Sequence, residues 1–158
     1  MMYELTLSPM YGVLLSGYLK KISSARLEDP STVIALRDVN DDSAYVSRLT
    51  QYEVEQLIKR IFEVSGELSF GLDIGESVHP SDFGTVGYTL MNCSSLHQVF
   101  DCAAKYKHAA NKGFSVAFNK QGSLYHFRLD NLVESDWLKV IIELDFASAL
   151  HLSKFFVG

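Results

Sequence analysis

The chain has 158 residues, 47% of them apolar and 21% charged, and 14 Lys plus Arg against 19 Asp plus Glu give it a net charge of −5. This is ordinary globular composition, which excludes disorder as the reading, and the acidic balance excludes nucleic-acid binding through a basic stripe of this chain. Cys93 and Cys102 are too few for a disulfide scaffold and lack zinc-site spacing, while every apolar run breaks before the ~20 residues a bilayer span needs, so the chain reads as a reduced, cytoplasmic protein with no membrane partner.

Ser8-Pro9 opens the first periodic segment, because proline fits the first helical turn, where its missing N–H leaves nothing unpaired. Met10, Val13, Leu14, Tyr18 and Leu19 recur at helical spacing and predict a helix from Pro9 to about Lys21. Ala25 to Ser47, with Pro30, Asn40, Asp41 and Asp42, reads as a linker-like connection. Thr50-Gln51-Tyr52-Glu53 fits a capping box, and Val54, Leu57, Ile58 and Ile61 follow on one helical face until Gly66 supplies the left-handed stop.

The next stretch, Phe70 to Gly87, is dense in glycine and contains Pro80, so it reads as turns or close backbone approach separating helical patterns. Ser95-Leu96-His97-Gln98 offers a second capping box, and Leu96, Val99, Phe100 and Ala103 carry a helix to about Ala110, with Asn111 to Gly113 as its stop. The period then changes to two: Phe114, Val116 and Phe118, then Tyr125, Phe127 and Leu129, alternate with polar neighbours around Gly122, which predicts a β-hairpin over 114–129. Asp136 to Val157 is apolar on two faces and predicts a final helix buried on both sides. The fold expected is α+β, with about four helices packed on one small antiparallel sheet.

Chemistry is scarce along this chain. His97 and His108 lie about 16 Å apart on one predicted helix and cannot share an ion, so no metal is expected. Neither Gly71 with Gly75 nor Gly84 with Gly87 has the lysine or the strand-turn-helix context of a phosphate site, and no nucleophile motif occurs, so neither a cofactor nor a catalytic residue is assigned. Cys93 and Cys102 read as packing residues, with a redox role as the alternative. Alternation puts His126 and Arg128 on the hairpin face opposite Tyr125 and Phe127. That face is either solvated or lines a cavity where Arg128 would grip a carboxylate and His126 set polarity; Tyr88 is a further candidate pocket wall, or else a core tyrosine.

The blocks Phe70-Gly71-Leu72-Asp73-Ile74-Gly75, Gly84-Thr85-Val86-Gly87-Tyr88 and Ser94-Ser95-Leu96-His97-Gln98-Val99-Phe100, followed by Tyr106, resemble in order and separation the N-terminal domain of a large branch of AraC-type transcription regulators. The likeness runs from about Val54 to Phe156. The family often carries arginine where Asp73 stands, so no electrostatic role is carried over to that position. The resemblance implies one sensor domain spanning 1–158 that binds a small-molecule effector and reaches DNA only through a helix-turn-helix half absent from this chain; the surplus apolar surface of the two-sided final helix points to a homodimer. It implies no enzyme. The effector-site candidates remain Tyr88, His126 and Arg128. The alternative is a dimerisation module without its own ligand.

Overall fold

A computed structural model describes residues 6–25, 48–110, 114–131 and 135–157. The connection read from Ala25 to Ser47 therefore lies, from residue 26 on, outside the described residues, as does the stop at 111–113.

Helix α1 (Pro9–Ala25) starts as expected, with the Met10 N–H donating to Ser8 Oγ at 3.4 Å, and runs one turn past its predicted end. Strand β1 (Thr6–Leu7) leads into it and pairs antiparallel with β2 (Leu49–Thr50), Thr6 facing Thr50. Two residues per strand carry no readable alternation, which is why this pair is invisible in the sequence.

Thr50 then caps α2 (Gln51–Ser65): its Oγ1 accepts from the Glu53 N–H at 3.3 Å, and Glu53 Oε2 accepts from the Thr50 N–H at 2.8 Å. The predicted stop also forms, Gly66 sitting at φ 75° with its N–H donating to the Phe62 carbonyl at 2.8 Å.

The expected fold of about four helices on one small sheet is corrected by the structure: the described residues form six α-helices and two separate two-stranded antiparallel sheets. The two additional helices, α3 (Phe70–Ser77) and α4 (Gly84–Met91), occupy the glycine-dense stretch read as turns or close backbone approach between helical patterns. Close approach is the role these glycines serve. A Cβ on Gly71 would stand 2.5 Å from the Val140 carbonyl oxygen, and one on Gly75 would stand 2.5 Å from the Ala147 Cβ. The four-residue spacing of these glycines opens one face of α3 to α6 (Asp136–Val157), and the α3–α6 contact is the most extensive between helices among the described residues. Gly87 does the same for α4, whose backbone lies against the Pro80 carbonyl in the 3-10 turn Pro80–Phe83.

Helix α5 (Leu96–Ala110) begins with a displaced capping box: Ser95 Oγ accepts from the Gln98 N–H at 3.3 Å, but Gln98 Oε1 reaches back to the Ser94 N–H at 2.9 Å. The hairpin forms as read, β3 (Phe114–Gln121) against β4 (Leu124–Asn131), turning at Gly122 with φ 61°. Its inner face rests on α5 and α6, with the Phe118 ring stacked on Phe100 at 4.5 Å and Phe127 edge-on to Phe146 at 5.0 Å.

The core gathers Trp137, Leu138, Ile141 and Leu144 of α6 with Phe70 and Ile74 of α3, Tyr11, Leu15 and Leu19 of α1, and the predicted face of α2. Helix α6 is buried around most of its circumference, but Phe146 and Leu150 are 42% and 68% exposed, so its second face is only partly covered. No helix among the described residues is long and apolar enough to cross a membrane.

Candidate apolar crevice with a polar end

A narrow crevice separates α6 from α4, α5 and the hairpin. Helical spacing aims a stripe of each long helix into it: Val99, Phe100, Ala103 and Lys107 from α5, and Asp145, Ser148, Ala149, Leu152 and Phe156 from α6. Leu90 of α4, Phe83 of the 3-10 turn and Phe127 of β4 close the remaining sides. The cavity volume is about 50 Å³.

Its surface is apolar throughout, although Lys107, Asp145, Ser148 and Ser153 are among the residues that line it. Asp145 is wholly buried in its side chain and forms an ion pair with Lys107, whose side chain is 12% exposed. The Tyr11 hydroxyl donates to the Asp145 carboxylate, 2.9 and 3.0 Å from its two oxygens, and accepts from Lys107 Nζ at 3.1 Å. Three helices, α1, α5 and α6, are thus tied at one buried carboxylate. Tyr106, beside Lys107 on the crevice wall, shares a 3.1 Å hydrogen bond with Ser8 Oγ at the start of α1.

Ser148 lies three residues after Asp145 and hence on the same face of α6. It is 4% exposed, it lines the crevice, and its Oγ has no hydrogen-bond partner. Buried hydroxyls are ordinarily paired, since leaving one unpaired forfeits its hydration without replacement.

Two grooves are wider, about 460 and 330 Å³, and more open to solvent. One, between α1 and α3, contains Tyr18, whose hydroxyl donates to Asp73 at 3.3 Å; burial first and the Asp73 charge second push the Tyr18 pKa upward. The other lies between α2 and the start of α6. Neither joins an enclosed apolar wall to a buried charged pair.

The three candidates from the sequence stand elsewhere. Tyr88 projects from α4 and is 63% exposed. His126 and Arg128 share the outer face of the hairpin, His126 opposite Asn119 and Arg128 paired with Asp130 at 2.9 Å with its side chain 69% exposed. None of them lines the crevice. The residues that do carry its chemistry, Lys107, Asp145 and Ser148, were passed over. One signal for two of them was present: Asp145 and Ser148 interrupt a strongly apolar helical run, and a carboxylate held in such a run requires a buried partner.

Cys93 and Cys102 are free, half-buried thiols. Partial burial, and secondarily Cys102, raises the Cys93 pKa, which keeps that thiol protonated and poorly nucleophilic. Among the described residues no group of three or more His, Cys, Asp or Glu is placed to hold a metal ion. His97 instead packs its ring near Phe118 and Tyr125, at 6.4 and 5.9 Å.

Residues 29–158 match the sequence profile of a family described as the arabinose-binding domain of AraC transcription regulator, N-terminal. Comparison with curated proteins returns no match.

Proposed function

We propose that this chain, which belongs to the family of N-terminal arabinose-binding domains of AraC transcription regulators, binds a small-molecule effector in the crevice beside α6 and transmits its occupancy to a DNA-binding half of the regulator. Domains of this family are non-catalytic regulatory modules. In this reading the activity is binding, with release of the unchanged ligand.

The observation that carries this reading is the crevice itself, a wholly apolar cavity between α6, α4, α5 and the hairpin whose lining also includes the buried Lys107–Asp145 pair. Ligand sites are mostly apolar concavities of this kind. Its volume of about 50 Å³ is far below the roughly 300 Å³ at which metabolite sites begin. An effector must therefore select a state in which α4 and the hairpin stand further from α6. Affinity for that state over the closed one is what links occupancy to conformation. The ligand contacts in this reading belong to the crevice and not to Tyr88, His126 and Arg128. Two free thiols suit the reducing cytoplasm, where such a regulator meets its DNA.

A metabolite library screened by thermal unfolding tests the reading. A true effector at 100 times its Kd adds about 2.7 kcal/mol. Ala103→Trp, which fills the crevice, is expected to abolish that gain; a ligand that stabilises parent and variant alike would refute the site.

A second reading, dimerisation without a ligand, is favoured by Phe146 and Leu150, one turn apart on α6 and both exposed. It expects sedimentation of a homodimer that Leu150→Glu splits. A monomer at tens of micromolar contradicts it.

A further inference from the structure

We propose that α2 is a self-pairing face, along which a second copy of this chain lays its own α2 antiparallel about a twofold axis. Val54, Leu57, Ile58, Ile61 and Val64 turn to the core. Tyr52, Glu55, Lys59 and Phe62, three or four residues apart, therefore form a stripe on the outer side of the same helix. Tyr52 is 68% exposed and Phe62 43%, so two aromatic rings meet water at opposite ends of one helix.

The order of the stripe selects the occupant. It runs aromatic, acid, base, aromatic, and it is centred on position 57: Tyr52 and Phe62 lie equally far to either side, and so do Glu55 and Lys59. A twofold axis through that position sets Tyr52 against Phe62 of the other copy and Glu55 against its Lys59, each contact occurring twice. Parallel pairing would set Glu55 on Glu55 and Lys59 on Lys59, and like charges exclude it. The charges are available for this. Arg60 and Glu63, beside the stripe, pair with each other at 3.0 Å, whereas Lys59 has no ion pair among the described residues and Glu55 accepts from the neutral Gln51 amide at 2.9 Å.

The groove of about 330 Å³ between α2 and the start of α6 provides the seat. Ile58, Trp137 and Val140 form its floor, and Leu68, 63% exposed, stands with Phe62 at its rim. The Tyr52 ring of the other copy, set opposite Phe62, reaches these two apolar side chains. The stripe shares no residue with the crevice or with Phe146 and Leu150 of α6, so pairing through α2 requires neither a ligand nor the α6 face. Fifteen residues of helix span about 22 Å, which makes the interface small and the dimer weak, with a Kd on the order of 10–100 μM.

Charge exchange between two variants tests the pairing. Sedimentation equilibrium of the 158-residue chain over roughly 5–500 μM should show monomer and dimer in exchange. Glu55→Lys and Lys59→Glu each set like charges at both contacts, and each should weaken association by about tenfold or more. Mixed in equal amounts, the two variants place lysines against glutamates at both contacts, and association should return to the parent's level. A side chain that merely supports the fold gives no such rescue. A parent that stays monomeric over the whole range, single variants that dimerise as well as the parent, or a mixture no better associated than its components overturns the pairing. A dimer that Leu150→Glu splits and the two charge variants leave intact overturns it in favour of α6.

Discussion

Lys107 and Asp145, the one near the end of α5 and the other in the first half of α6, form an ion pair almost entirely removed from water. A buried pair contributes little over an apolar replacement, because desolvation offsets most of the attraction; removing one partner is different, since it strands a charge. Lys107→Met should therefore lower stability by about 3–5 kcal/mol, and the double variant Lys107→Met, Asp145→Leu should recover most of that loss. Urea midpoints for the parent and both variants measure this. A single variant within about 1 kcal/mol of the parent would mean that Tyr11 alone satisfies the carboxylate.

Ser148 bears on stability with the opposite sign. Its hydroxyl is buried and unpaired, so Ser148→Ala removes a standing penalty and should raise stability by on the order of 1 kcal/mol. Chemical denaturation checks it. A loss of stability would imply a partner for the hydroxyl in solution.

The glycines of α3 provide a controlled contrast. Alanine ordinarily favours a helix over glycine by about 0.5–1 kcal/mol. At Gly75 the added Cβ would stand 2.6 Å from the Leu144 carbonyl oxygen and 2.5 Å from the Ala147 Cβ, so overpacking by about 1–3 kcal/mol should prevail and Gly75→Ala should destabilise. At Gly17 of α1 a Cβ meets nothing within 4 Å, and Gly17→Ala should stabilise by about 0.5–1 kcal/mol. Thermal midpoints moving in the same direction for both would contradict the packing account.

Tyr18 predicts an alkaline effect. Its folded pKa is raised, by burial and then by Asp73, above the unfolded value near 10. The folded state therefore holds this proton more tightly, and the associated stability is fully present below about pH 10 and is lost as pH rises through the folded pKa. Tyr18→Phe should flatten this part of the stability profile above about pH 10. An unchanged alkaline slope would place the titration elsewhere.

The capped helix α2 and the hairpin were legible because each is specified by near neighbours: Thr50 and Glu53 bond across one turn, and Phe118 and Phe127 face each other across a two-residue turn. The glycine blocks were legible as family blocks and as sites of turns or close approach, but not which of the two. The missing Cβ atoms of Gly71, Gly75 and Gly87 admit the backbones of Val140, Leu144 and Pro80, partners that no local window identifies.

The amino-acid order alone determined the charge balance, the helix caps, the change of period into the hairpin and the family's three blocks, since all of these are read within a few residues or as an ordered pattern along the chain. Only the tertiary structure decided which polar side chains share an environment. Tyr11, Lys107 and Asp145 come from three helices and meet at one buried point, while His126 and Arg128, adjacent on their strand face, turn to solvent. Burial and pairing depend on how helices pack across the core, and that packing is set by contacts between segments far apart in the chain.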